Sequence, residues 1–138
     1  MATSYLSNDT IHSLTTGLPA PIGVLRVSGS KCFEIAKRLG VTDFESRKLK
    51  LVHLKSPSGK LIDHSMSVAF QAPASFTGED VVEFHFHGSG AVAKHLLRSL
   101  TELGSRQAAA GEFSFRAVKN GKMTLSGAMA VSDLIASS

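Results

Sequence analysis

Apolar positions change their period several times along this 138-residue chain, and each change predicts an element. DTIHSLTTG, residues 9 to 17, is rich in β-forming residues and ends at a glycine. IGVLRVSG, Ile22 to Gly29, is a second apolar strand, with LPAP between the two as a turn. From Lys31 to Leu39, Phe33, Ala36 and Leu39 share one helical face, Gly40 stops the helix, and Ser28 or Ser30 is the expected cap. LKLVHL and IDHSMSVAF flank SPSGK, whose Pro, Ser and Gly predict a reversal between antiparallel strands. In VVEFHFHG, Val82, Phe84 and Phe86 fall on one face, expected to be core. Val81, Glu83, His85 and His87 fall on the other.

From Ser89 to Leu103 the spacing becomes helical: Val92, Leu96, Leu100 and Leu103 recur until Gly104 takes the C′ position. A shorter helical patch runs from Glu112 to Lys119 and is broken at Asn120-Gly121. Thr124 or Ser126 then caps a final helix through Ile135. There is no internal repeat and no linker-like tract. Strands and helices intermingle over hairpin-length links, which predicts one α+β domain over residues 1–138, a mainly antiparallel sheet with packed helices.

A formal charge of +4, spread along the chain, is too diffuse to mark a nucleic-acid stripe. The single cysteine, Cys32, excludes an internal disulfide and a Cys-based metal cluster, and it lies on the first helix, where packing is its expected role. No signal peptide or apolar run of membrane-spanning length is visible, so a cytoplasmic location is expected.

His85 and His87, two apart on one strand, could share a metal with Glu83, but no further His or Cys cluster lies near them in sequence, and no metal site is assigned. Neither GxxxxGK[ST] nor GxGxxG occurs in a strand-to-helix setting, and there is no serine nucleophile elbow. No catalytic residue is assigned. Polar residues at element boundaries remain: Arg26 in the second strand, Glu79 after FTG, and Lys122 after NG. Spacing alone does not bring these three together.

Taken in order, DTI at 9–11, IGVLRVSG at 22–29, APASFTGEDVVEFHFHG at 72–88, GEFSFRAVKNGK at 111–122 and AVSDLI at 130–135 resemble the N-terminal domain of the MnmE (TrmE) family of tRNA modification GTPases. The resemblance covers nearly the whole chain. It implies a fold similar to the folate-binding domain of the glycine-cleavage aminomethyltransferase. It also implies a tetrahydrofolate ligand of the 5-formyl type, a homodimer, and partnership with the FAD-dependent MnmG and tRNA in wobble-uridine modification. On this resemblance GTP, magnesium and potassium belong to a GTPase domain that, like a helical domain, is absent from this chain. The folate-contacting positions carried over are Arg26, Glu79 and Lys122. A carboxylate can accept from the amino-pyrimidinone edge of a pterin, and the two cations can pair with glutamyl carboxylates.

Three stretches depart from the family pattern: GLPAPIGV for a GRGGI-like run, AAAGEF for RPGEF, and MTLSGAMA for LDLTQAEA. Loss of the proline before Gly111 frees that loop. The chain ends within a helical pattern, which favours an excised domain of a longer protein over a natural stand-alone form. Two alternatives stay open: a stand-alone folate-dependent one-carbon transferase, and a dimerisation scaffold that has lost its ligand.

Overall fold

In a computed structural model, which describes residues 8–129, six strands form one sheet in the order β3-β4-β5-β2-β1-β6. The strands are β1 (Ile11–Leu14), β2 (Ile22–Ser28), β3 (Lys50–Lys55), β4 (Leu61–Phe70), β5 (Val81–His87) and β6 (Arg106–Gln107). Only the β1–β6 pair is parallel. The helices are α1 (Cys32–Arg38), α2 (Gly90–Glu102) and α3 (Glu112–Lys119). A further helical stretch begins at 125 and continues to the last described residue. The chain is therefore α+β with a mostly antiparallel sheet, as its periodicity implies.

Alternation along the strands decides which face is core. Leu25 and Val27 on β2, Val82, Phe84 and Phe86 on β5, and Val52 and Leu54 on β3 are buried together. On them pack Ile35, Ala36 and Leu39 of the α1 region and Ala93, Leu96 and Leu100 of α2. Cys32 is part of this core, and burial, with the Asp80 and Glu79 charges adding to it, raises its thiol pKa, so it is an inert packing group. Ser89 caps α2 by accepting the Val92 N–H at 3.2 Å. Gly104, with φ 99°, follows the Leu103 C-cap. Thr124, and not Ser126, takes the cap position of the last helical stretch, its Oγ1 accepting from the Gly127 N–H at 3.0 Å. The rest of that helix, to Ile135, lies outside the described residues.

Three expectations are corrected. The first strand is shorter than DTIHSLTTG, pairing only over Ile11–Leu14. Neither Ser28 nor Ser30 caps α1: Lys31 holds the N-cap position without a side-chain cap. The early donors are met elsewhere, the Lys31 N–H by Thr10 Oγ1 at 3.1 Å and the Cys32 N–H by the Gly29 carbonyl at 3.2 Å. Ser28 follows core Val27 on β2, and its Oγ meets Thr77 and Glu79 instead. Val81, which alternation puts on the face opposite the core, is buried too, so this end of the second face is covered.

Candidate functional site

The second face of β2 carries Arg26 and Ser28, and the register sets Glu83 of β5 directly across from Arg26. The Arg26 Nε donates to Glu83 Oε2 at 3.0 Å. Its guanidinium carbon lies 5.0 Å from the centre of the Phe76 ring and 5.9 Å from that of Phe113, so two aromatic faces hold the cation. With Nε engaged, the terminal nitrogens of Arg26 have no protein acceptor among the described residues. Arg26 lines a cavity of about 600 Å³ whose walls include Ser13, Phe76, Phe113 and the backbone turn from Ala108 to Gly111. That volume falls within the roughly 300–1,000 Å³ typical of small-molecule sites.

Glu79 lies in the loop that leads into β5 and reaches the same face beside Ser28. Its Oε1 accepts from Ser28 Oγ at 2.8 Å and from Arg116 Nη1 at 3.0 Å. Oε2 has a longer contact, 3.3 Å, to the same Nη1. Arg116, only 2 % exposed, also donates from Nη2 to Asp9 at 3.2 Å and lies 3.4 Å from Glu112. Arg106 bridges Asp9 and Glu112 from the other side, with contacts of 2.7 Å to each. Two arginines thus face three carboxylates, a formal surplus of one negative charge (+2 − 3 = −1).

The titration shifts follow from this arrangement. Hydrogen bonds from Arg106 to Asp9 and then Glu112 raise the Arg106 pKa further above neutrality. Burial pushes the Glu112 carboxyl up, but Arg106 and the Ala109 N–H outweigh it and leave its pKa lowered. His12, buried beside the network, falls to about 4 because burial and then the Arg106 charge disfavour its protonation. The neutral ring shares a 2.6 Å hydrogen bond with Ser105.

Lys122 reaches this region from the turn after α3. A side chain on Gly78, whose φ is 81°, would meet Asn120 Cβ at 2.7 Å and Lys122 Cγ at 3.2 Å, so the 71–80 loop lies directly on the Asn120–Lys122 turn. Asn120 Nδ2 fixes that contact by donating to the Thr77 carbonyl at 2.8 Å. Asp80 has a structural part, its Oδ1 accepting the Ala72 N–H at 2.8 Å to close the loop.

The fold therefore gathers Arg26, Glu79 and Lys122 around one loop, although among them only Arg26 lines the cavity. His85 and His87 go to separate partners, Glu83 Oε1 at 3.1 Å and Asp63 Oδ1 at 2.8 Å. The sequence reading missed Asp9, Arg106, Glu112 and Arg116. The i,i+4 spacing of Glu112 and Arg116 was the available signal for part of this network.

A six-stranded, mostly antiparallel sheet with helices packed on it defines an α+β domain class, and comparison with known proteins makes the class specific. Residues 10–122 match the family described as "GTP-binding protein TrmE N-terminus", and the chain belongs to that family. It is 45% identical over 115 residues to a protein of Xanthomonas campestris pv. campestris (strain B100) named tRNA modification GTPase MnmE. That match covers 83% of this chain and 26% of the relative. A protein of the same name from Chelativorans sp. (strain BNC1) is 45% identical over 130 residues, covering 93% and 29%. The chain thus spans between a quarter and a third of the length of these relatives. No helix among the described residues is long and apolar enough to cross a membrane.

Proposed function

We propose that this domain binds a reduced folate of the 5-formyltetrahydrofolate type in the cavity beside Arg26, and that it does so as a homodimer serving modification of a tRNA wobble uridine. The observation that carries the reading is Arg26 itself, its Nε tied to Glu83, in the wall of a cavity that Phe76 and Phe113 also line. Aromatic walls suit the flat pterin and benzoyl rings of a folate, and a guanidinium suits its glutamyl carboxylate.

Glu79 supplies the complementary group. Its carboxylate is held by Ser28 and Arg116 mainly through Oε1, which leaves Oε2 the better placed to accept from an amino-pyrimidinone edge. Lys122, exposed and packed by its stem against the same loop, adds a second cation for the ligand's carboxylates. The domain is a binding and dimerisation module in a cytoplasmic enzyme. GTP hydrolysis belongs to another segment of the longer protein, and flavin chemistry to the partner MnmG.

Calorimetric titration of 5-formyltetrahydrofolate into the purified chain, with the mass in solution measured alongside, tests this reading. Saturable binding by a particle of about twice 14.6 kDa is expected. Absence of binding with a stable dimer would favour a scaffold that has lost its ligand. One-carbon transfer by the chain alone would favour a self-sufficient transferase. Unchanged affinity in Glu79→Gln would remove Glu79 from the site.

A further inference from the structure

Charge that is diffuse along the sequence is sorted by the fold. α1 and α2 pack on the face of the sheet opposite the one that carries Arg26. Lys31, Lys37 and Arg38 are exposed at and along α1, and Lys94, His95 and Arg98 are exposed on α2. The β3–β4 turn adds exposed Lys55 and Lys60. These segments adjoin one another: the Lys55 N–H donates to the Leu39 carbonyl at 2.8 Å, Lys60 and His95 line one cleft, and Arg38 and Leu103 line another. None of the seven Lys and Arg side chains makes an ion pair or a side-chain hydrogen bond among the described residues. On these segments only Glu34 and Glu102 oppose them, a formal surplus of five (+7 − 2 = +5). Asp43 and Glu45, beside α1 through the Phe33–Phe44 contact, are already met by Lys50 and Lys48. The other eight basic and eight acidic side chains of the described residues cancel, so their net charge resides on this one face.

We propose that the outer surface of α1, α2 and the β3–β4 turn docks the phosphate backbone of a structured RNA. Cations free of internal acids can each take a phosphate and release its counterions without first breaking a pair. A protein partner would need apolar or aromatic anchors, but Leu61 is the one large exposed hydrophobic on α1, α2 and residues 55–61. A bilayer is a poor fit as well, because the apolar side of α2 is spent in the core. The exposed phenylalanines lie elsewhere, Phe76 in the cavity wall and Phe115 on α3. The face therefore reads the backbone and shape of a nucleic acid rather than its base sequence. The choice of RNA as the polyanion rests on the reading of the domain as part of a tRNA-modifying protein. The surface itself rests on charge alone.

Fluorescence anisotropy of a labelled tRNA transcript titrated with the untagged chain, without folate, tests the proposal. Saturable binding in 50 mM salt should weaken about a hundredfold in 200 mM, the dependence of roughly four phosphate contacts. Lys94→Gln with Arg98→Gln, and separately Lys55→Gln with Lys60→Gln, should each weaken binding about tenfold or more and lower the salt slope by about two. Lys48→Gln with Lys50→Gln removes the same charge from lysines already paired, and should leave affinity within about threefold. The four side chains of the two test pairs are exposed and unpaired, so those variants should keep the wild-type thermal midpoint. Equal losses in all three double variants would show that net charge and not this face governs binding, and would overturn the proposal. So would no saturable binding up to about 100 μM in 50 mM salt. Tighter binding of poly-L-glutamate than of the RNA at matched salt would overturn it in favour of an acidic polypeptide. Because folate is left out, failure of the folate titration would leave this result standing, and failure here would leave the cavity reading untouched.

Discussion

Arg116 decides how Glu79 is presented. A fully buried guanidinium touching three carboxylates cannot be removed without leaving uncompensated charge, whereas a surface pair such as Lys48–Glu45 sits in water and contributes little. Arg116→Gln should therefore destabilise the domain by about 3–5 kcal/mol in urea unfolding, and Lys48→Gln by about 1 kcal/mol or less. His12 gives a pH signature at the same scale. Its pKa is about 4 in the folded state against the ordinary 6.5, so between these values the unfolded chain binds the extra proton. The stabilisation from a neutral His12 is complete above pH 6.5 and is lost as the pH falls toward 4. At pH 5 the loss relative to pH 7.5 should be about 2 kcal/mol. His12→Gln, whose amide can still reach Ser105, should show a shallower fall in denaturant midpoint over that window. An equal fall would assign the acid sensitivity to other groups.

Among the elements, helices and long strands were legible in the sequence because one periodicity governs each of them. The alternation in VVEFHFH put Phe84 and Phe86 in the core, and the helical spacing of Val92, Leu96 and Leu100 placed α2 with its Gly104 stop. Ser89→Ala should cost about 1 kcal/mol, read as a lowered unfolding midpoint, since Val92 would lose its N-cap acceptor. The two-residue strand β6 was not legible. It exists only through pairing of Arg106 and Gln107 with Ile11 and His12, which no local pattern encodes. The α1 cap was misread for a related reason, since the Lys31 N–H is met by Thr10, from a different strand region, and the Cys32 N–H by the Gly29 carbonyl, rather than by a neighbouring serine side chain.

At the scale of the whole molecule, the site is long-range by construction. Asp9 and Arg116, 107 positions apart, meet at one network, and the 71–80 loop closes on the Asn120–Lys122 turn through Gly78 and Asn120. Residue spacing could not show this, and the resemblance identified Arg26, Glu79 and Lys122 without showing what supports them. The resemblance also said nothing of the cavity, whose wall from Ala108 to Ala110 falls on one of the stretches that depart from the family pattern. The central claim is that a reduced folate occupies this cavity. Mapping amide shifts of the labelled chain on titration with 5-formyltetrahydrofolate tests it most directly. The account predicts saturable shifts concentrated on Arg26, Phe76, Glu79 and residues 108–114. Shifts confined to the α1–α2 side of the sheet, or no shifts at saturating folate, would contradict it.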